Sequence, residues 1–148
     1  ERTHAAALSL VAAEDMETLL GLVTEDLPVV LGVDAAILAF EPLPAIDAAV
    51  TAIGRLAAGE VDALLGVGRE ARLIARLDGG GALFRDNAPP VRSAALARLT
   101  VAGRDASGLL ALGAHEEGLF SPDQGTDLLR FLARIIEVCL QRLLPTSS

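Results

Sequence analysis

Few residues in this chain have the types and spacing that chemistry needs. Gly66-Val67-Gly68-Arg69-Glu70-Ala71 matches the G-x-G-x-x-[GA] pattern of dinucleotide binding. That pattern works only where a strand leads into a helix whose N-terminus takes the pyrophosphate. Here a helical turn, Glu60 to Leu65, comes first, so the segment reads as a helix stop and a loop. His115-Glu116-Glu117 has the residue types of a metal site. Adjacent residues at a strand end point to opposite sides and do not converge on one ion. The other histidine is His4, at the far terminus, and no metal is expected. Ser93 beside Arg92 suggests a nucleophile next to an anion clamp. It has no G-x-S-x-G elbow and no histidine nearby in sequence, so it reads as a small strand residue. Asp123, Asp127 and Glu137 fall on the first turn or outer face of a helix and read as solvated, which leaves no acid pair for glycoside chemistry. No catalytic residue is nominated.

One modest functional signal is left. Arg69, Arg72, Arg76, Arg85 and Arg92 cluster in the middle of an acidic chain. Arginine holds carboxylate or phosphate through forked hydrogen bonds. Arg69, Arg72 and Arg92, with Ser93 and His115, form the candidate site for a small anionic ligand. The alternative is a scattered, solvated set that pairs with Asp and Glu.

Composition removes several classes of function. The 148 residues carry a net charge of −8, and all twelve basic residues are arginine. A negative field repels phosphate backbones, and with 3% aromatic residues there is no stacking platform, so nucleic-acid binding is not expected. Without lysine there is no P-loop lysine, Schiff base or lysine general base. The one cysteine, Cys139, allows no internal disulfide and reads as a small core residue of an apolar helix. Reduced-cysteine usage predicts an intracellular, cytoplasmic location. No apolar run reaches the roughly 18 residues of a membrane span, and no membrane association is expected. The sequence starts at Glu1 without a secretory signal pattern, so an upstream chain is unseen.

The elements that would position these residues read as one domain over 1–148. N-terminal helices are expected within 3–31, a sheet core within 34–115 and a closing helix over 122–143. Asp15 is a natural N-cap, with Glu17 in the first turn. Pro28 should bend or interrupt the second helix, and Gly32 should end it. Residues 34–41, bounded by Gly32 and Pro42, read as a buried strand. In 45–58, Ile46, Ala49, Val50, Ile53, Leu56 and Ala57 share one helical face, and Gly59 follows as a stop. Further strands are expected at 70–77, 82–85, 91–101 and 109–115, the last two as a hairpin. Ser121-Pro122-Asp123-Gln124 combines an N-cap, a proline at N1 and a capping-box glutamine at the head of the closing helix.

On a wheel of roughly 100° per residue, Asp127, Arg130, Arg134, Glu137 and Gln141 share one narrow sector of that helix. Apolar residues fill an arc of roughly 240°, against the roughly 100° that a one-sided helix needs. One sheet does not cover so wide an arc. A homodimer through the terminal helices is therefore expected, with Leu129, Ile136, Leu140, Leu143 and Leu144 at the interface. Cover by the chain's own N-terminal helices is the alternative.

The element order, with Gly108, Leu110, Gly113 and Phe120 leading into the closing helix, resembles the GAF fold. SLVAAEDMETLL (9–20), LFRDNAPPVRSAAL (83–96) and FSPDQGTDLL (120–129) are similar, more narrowly, to the bacterial family called domain of unknown function 484. The resemblance implies an α+β, GAF-like (profilin-like) architecture: an antiparallel sheet of five or six strands, the N- and C-terminal helices packed on one face, and on the other face loops that often enclose a ligand. Many GAF domains dimerise through their terminal helices. The cyclic-nucleotide signature of such domains needs a lysine, and Asn87 is the lone asparagine. Cys139 and His115 match neither the bilin, haem nor sulfoxide-reductase patterns, so no cofactor is expected. The expectation is a non-enzymatic sensory, ligand-binding and dimerisation module of a signalling type. A pairing domain with no ligand is the second reading, and a hydrolase working through Ser93 or acidic residues the third.

Overall fold

The computed structural model describes residues 2–41, 54–56, 58–76, 91–100, 107–116, 118, 120 and 126–143. The chain opens with α1 (Arg2–Ala12), α2 (Met16–Gly21), a π-helical turn (Leu22–Asp26) and α3 (Leu27–Leu31). The Asp15 carboxylate accepts the Thr18 N–H at 2.7 Å and caps α2. Pro28 has no N–H to donate to the preceding turn, and that turn is widened rather than broken: the Leu27 N–H reaches back to the Leu22 carbonyl. The expected interruption at Pro28 is thus a π-bulge within a continuous helical path. Gly32 ends α3 at φ 72, a left-handed conformation that glycine adopts without the Cβ penalty, and the Val33 N–H closes the turn on the Pro28 carbonyl.

The sheet contains β1 (Ala35–Phe40), β2 (Gly54–Arg55), β3 (Ala71–Ile74), β4 (Ser93–Thr100) and β5 (Ser107–Ala114), in the order β2-β1-β5-β4-β3. α4 (Glu60–Leu65) lies between β2 and β3, and α5 (Asp127–Leu143) closes the described chain. β1, β5, β4 and β3 pair antiparallel, and Thr100 opposite Ser107 makes β4–β5 the expected hairpin. Two expectations need correction. The two-residue β2 runs parallel to β1, so the sheet is not wholly antiparallel. Residues 41–53 are long enough for the crossover that a parallel neighbour requires. The helix expected to reach residue 58 does not do so: Gly54–Arg55 is strand, and the Leu56 N–H donates to the Phe40 carbonyl. Sheet pairing overrides the helical spacing there. The rest of that expected helix (45–53 and 57), the strand at 82–85, Leu144 and the capping box at 121–124 lie outside the described residues.

β1 is apolar throughout, and β4 and β5 are apolar over most of their length, because both faces of these strands are covered; Arg98 is the charged exception within β4. One face carries Ala36, Leu38, Phe40, Ala95, Ala97, Leu99, Leu110 and Leu112 against the terminal helices, with Leu19, Val23, Leu27, Leu132 and Ile136 packed on them. The opposite face carries Ala39, Ala94, Leu96, Leu109 and Ala111 against Leu56, Val61, Leu65 and Val91. N- and C-terminal helices on one face, α4 on the other, define a mixed α+β layer structure.

Candidate functional site

The five candidate ligand-binding residues fall into two groups at opposite ends of the sheet. Arg92, Ser93 and His115 meet where β4 starts and β5 ends. The Arg92 N–H donates to the Ala114 carbonyl at 2.7 Å, and Ser93 is in register with Ala114. Ser93 is fully buried, and its hydroxyl donates to the Glu116 carbonyl at 2.7 Å. That bond ties the chain leaving β5 to the start of β4 and occupies the one proton of the Ser93 hydroxyl. The His115 N–H donates to the Asp34 carboxylate at 2.8 Å, with Nδ1 3.6 Å from the other oxygen. Serine, histidine and aspartate therefore sit close in the fold, but the serine proton goes to a backbone carbonyl.

Arg69 and Arg72 belong to the other group, beside α4. The Arg72 guanidinium donates to the Leu64 carbonyl at 2.8 Å, near the C-terminus of α4. Arg98, which sequence reading passed over, donates to Asp62 at 2.7 Å and to the Arg69 carbonyl at 3.0 Å. Cations at the carbonyl end of a helix meet its negative pole. Together Arg72 and Arg98 pin α4 to the sheet. Of the two arginines expected here to hold an anion, Arg72 thus engages its guanidinium with the protein, while Arg69 contributes its backbone to the α4 anchor. The missed signal was register: Arg72 faces Leu96, and Arg98 lies two residues further along the same face of β4.

The closing helix divides into three sectors. Leu129, Leu132, Ala133, Ile136, Cys139 and Leu140 are buried against the sheet and the N-terminal helices. Leu129, Ile136 and Leu140, assigned from sequence to a dimer interface, are therefore core residues of their own chain. Leu143 is half-buried. The second sector is polar but not merely solvated. Glu137 accepts the Thr100 N–H at 2.6 Å, while Arg134 bonds Glu70 at 2.7 Å and Glu137 at 2.7 Å. This sector docks on the β3–β4 end of the sheet, a correction to the solvated reading of Glu137. The third sector is apolar and open: Leu128 is 47% exposed, Phe131 49% and Val138 65%. Arg142, one turn past Val138, donates to the Val11 carbonyl at 3.0 Å and the Ala13 carbonyl at 2.5 Å, so α1 flanks this sector. Leu8 and Val11 of α1 are exposed as well. Between α5, α3 and the sheet lies a half-enclosed cavity of about 270 Å³ that Val33, Phe120 and Leu128 help to line.

Residues 1–144 match the family described as "Protein of unknown function, DUF484". The chain belongs to this family. No curated protein matches it. Among the described residues of this DUF484 chain, no group of His, Cys, Asp and Glu is placed to hold a metal ion. Among them, too, no helix is long and apolar enough to cross a membrane. Cys139 donates to the Leu10 carbonyl at 3.2 Å, and burial pushes its thiol pKa up, the direction opposite to an activated nucleophile.

The polar sector gives this DUF484 domain an acid-sensitive tie. The hydrogen bond from Arg134, with its charge, holds the Glu70 carboxyl below its ordinary value of 4.5. A depressed folded-state value contributes stability that is fully present above the unfolded value and is lost as pH falls through the folded one. The pair is half-exposed, so water screens it and its worth is about 0.2–1 kcal/mol. In urea titrations at neutral pH, Glu70→Gln should unfold earlier than the parent. That difference should vanish well below pH 4.5, and a difference that stays constant into acid would contradict the assignment.

Proposed function

We propose that this domain is a GAF-like, non-enzymatic module of a signalling type, which pairs with a second copy through α1 and α5 and relays the state of a small bound molecule across that pairing. The observation that carries the reading is the apolar third sector of α5, left open by its own chain and bordered by the exposed Leu8 and Val11. Among the described residues, five large apolar side chains are exposed on these two neighbouring helices, more than the singly scattered ones that a monomer ordinarily shows. A single stripe of this kind is self-complementary about a two-fold axis, as an isologous dimer requires. The terminal helices gathered on one face of a largely antiparallel sheet support the GAF-like part. The buried, carbonyl-bonded Ser93 hydroxyl weighs against the hydrolase alternative.

Light scattering coupled to size-exclusion chromatography tests the pairing. The parent should elute at about twice 15.3 kDa at micromolar concentration. Phe131→Asp combined with Val138→Asp should give the single mass with an unchanged far-ultraviolet spectrum, because both positions are exposed in the isolated chain. A parent of single mass would end the relay reading. A dimer indifferent to the two aspartates would move its interface elsewhere.

A further inference from the structure

The cavity of about 270 Å³ lies on the face of the sheet that carries the terminal helices. Its floor is one row of residues in register across three strands, Leu73 of β3, Ala95 of β4 and Leu112 of β5. The middle residue is the short one, so the row dips between two leucines. Leu129 and Leu132 of α5 line the cavity from the helix side, and Leu128 lines it while 47% exposed. Every lining side chain is hydrocarbon.

We propose that this cavity binds one small apolar molecule, or one with a single apolar tail. It names a ligand class for the small-molecule part of the reading above, but it rests on the cavity and not on the pairing of α5. The lining offers no side-chain donor or acceptor, so the part of an occupant held against it loses hydrogen bonds to water with no side chain to replace them, which favours hydrocarbon. An apolar cavity of roughly 150 Å³ is enough to take up benzene, and this one is nearly twice that size. It suits a ring with a short chain, or a single chain of about nine carbons when each takes the ~30 Å³ of a water-sized group. Two lipid tails do not fit, which points to a free molecule and not to a bilayer lipid. The exposed end of the ligand would leave the cavity beside Leu128, the first residue of the open sector of α5, so occupancy bears directly on that helix.

The test titrates the intact chain with 1-octanol and with 1,8-octanediol, following leucine methyl resonances. With 1-octanol, saturable shifts are expected at Leu73, Leu112, Leu128 and Leu132, complete by about 1 mM. The diol, which must bury a second hydroxyl, should bind about tenfold or more weakly. Ala95→Leu fills the dip and should weaken 1-octanol by about tenfold or more with the fold intact. If that variant does not fold, the map of methyl shifts on the parent decides. Absent or non-saturable shifts, shifts centred on leucines outside the cavity lining, or equal binding of octanol and diol would overturn the site. Unchanged binding by a folded Ala95→Leu chain would overturn it too. Chain mass is a separate measurement, so failure of the pairing leaves this result standing, and the reverse holds.

Discussion

Ile136→Ala is expected to lower the unfolding free energy by about 2–5 kcal/mol. Ile136 has no exposed surface and sits midway along the buried sector of α5, in the same core as Leu19, Leu110 and Leu132. Shortening it removes the transfer free energy of three carbons and leaves a void that the sheet below cannot close, because β4 and β5 are each held by paired neighbours. Phe131→Ala, on the same helix but in the open sector, removes a larger side chain and should cost the isolated chain within about 0.5 kcal/mol. Urea titrations check this through midpoint and slope, with Ile136→Ala made in the single-mass Phe131→Asp, Val138→Asp background and Phe131→Ala measured below the pairing concentration. Similar losses for both would mean that Phe131 is covered in solution. A small loss at Ile136 would mean that α5 does not pack as described.

The second large effect is expected at Gly108. It lies opposite Phe40 in the antiparallel β1–β5 pair, and a Cβ built on it would clash with the edge of the Phe40 ring. The ring is itself buried and lies over the glycine backbone, a packing in which an aromatic side chain covers the place where a strand lacks its own. Gly108→Ala forces the ring off its position in a filled core, an overpacking that costs about 1–3 kcal/mol, and Gly108→Val more. Phe40→Leu vacates that space at a cost of its own. The double variant Phe40→Leu with Gly108→Ala should therefore be more stable than the sum of the single effects, by at least about 0.5 kcal/mol. Strict additivity would show that the glycine is there for some reason other than the ring.

These two residues also show what could be read in advance. Ile136 was visible as apolar, and its helix was visible from spacing, but the partner it meets was not. Gly108 appeared among the residues that carry the GAF resemblance; only the register with Phe40 shows why a side chain is excluded there. The same holds for the arginines. Their charge was legible, yet Arg72 and Arg98 act on the carbonyl end of α4, an element that approaches them across the sheet. The cavity floor is more remote still, since Leu73, Ala95 and Leu112 come from three separate strands.

What the sequence by itself determined was local. The Asp15 cap, the Gly32 stop, the apolar strands bounded by turns, the β4–β5 hairpin and the polar stripe of the closing helix follow from interactions within a few residues, and such preferences act wherever the segment ends up. Its family kinship was legible too, from short motifs spread over most of the chain. Only the tertiary structure decided which apolar residues of α5 are core and which are left open, that β2 joins β1 in parallel, and where a glycine or an alanine makes room. These depend on strand register and on which element covers which face, and each is settled by packing between residues far apart in the chain.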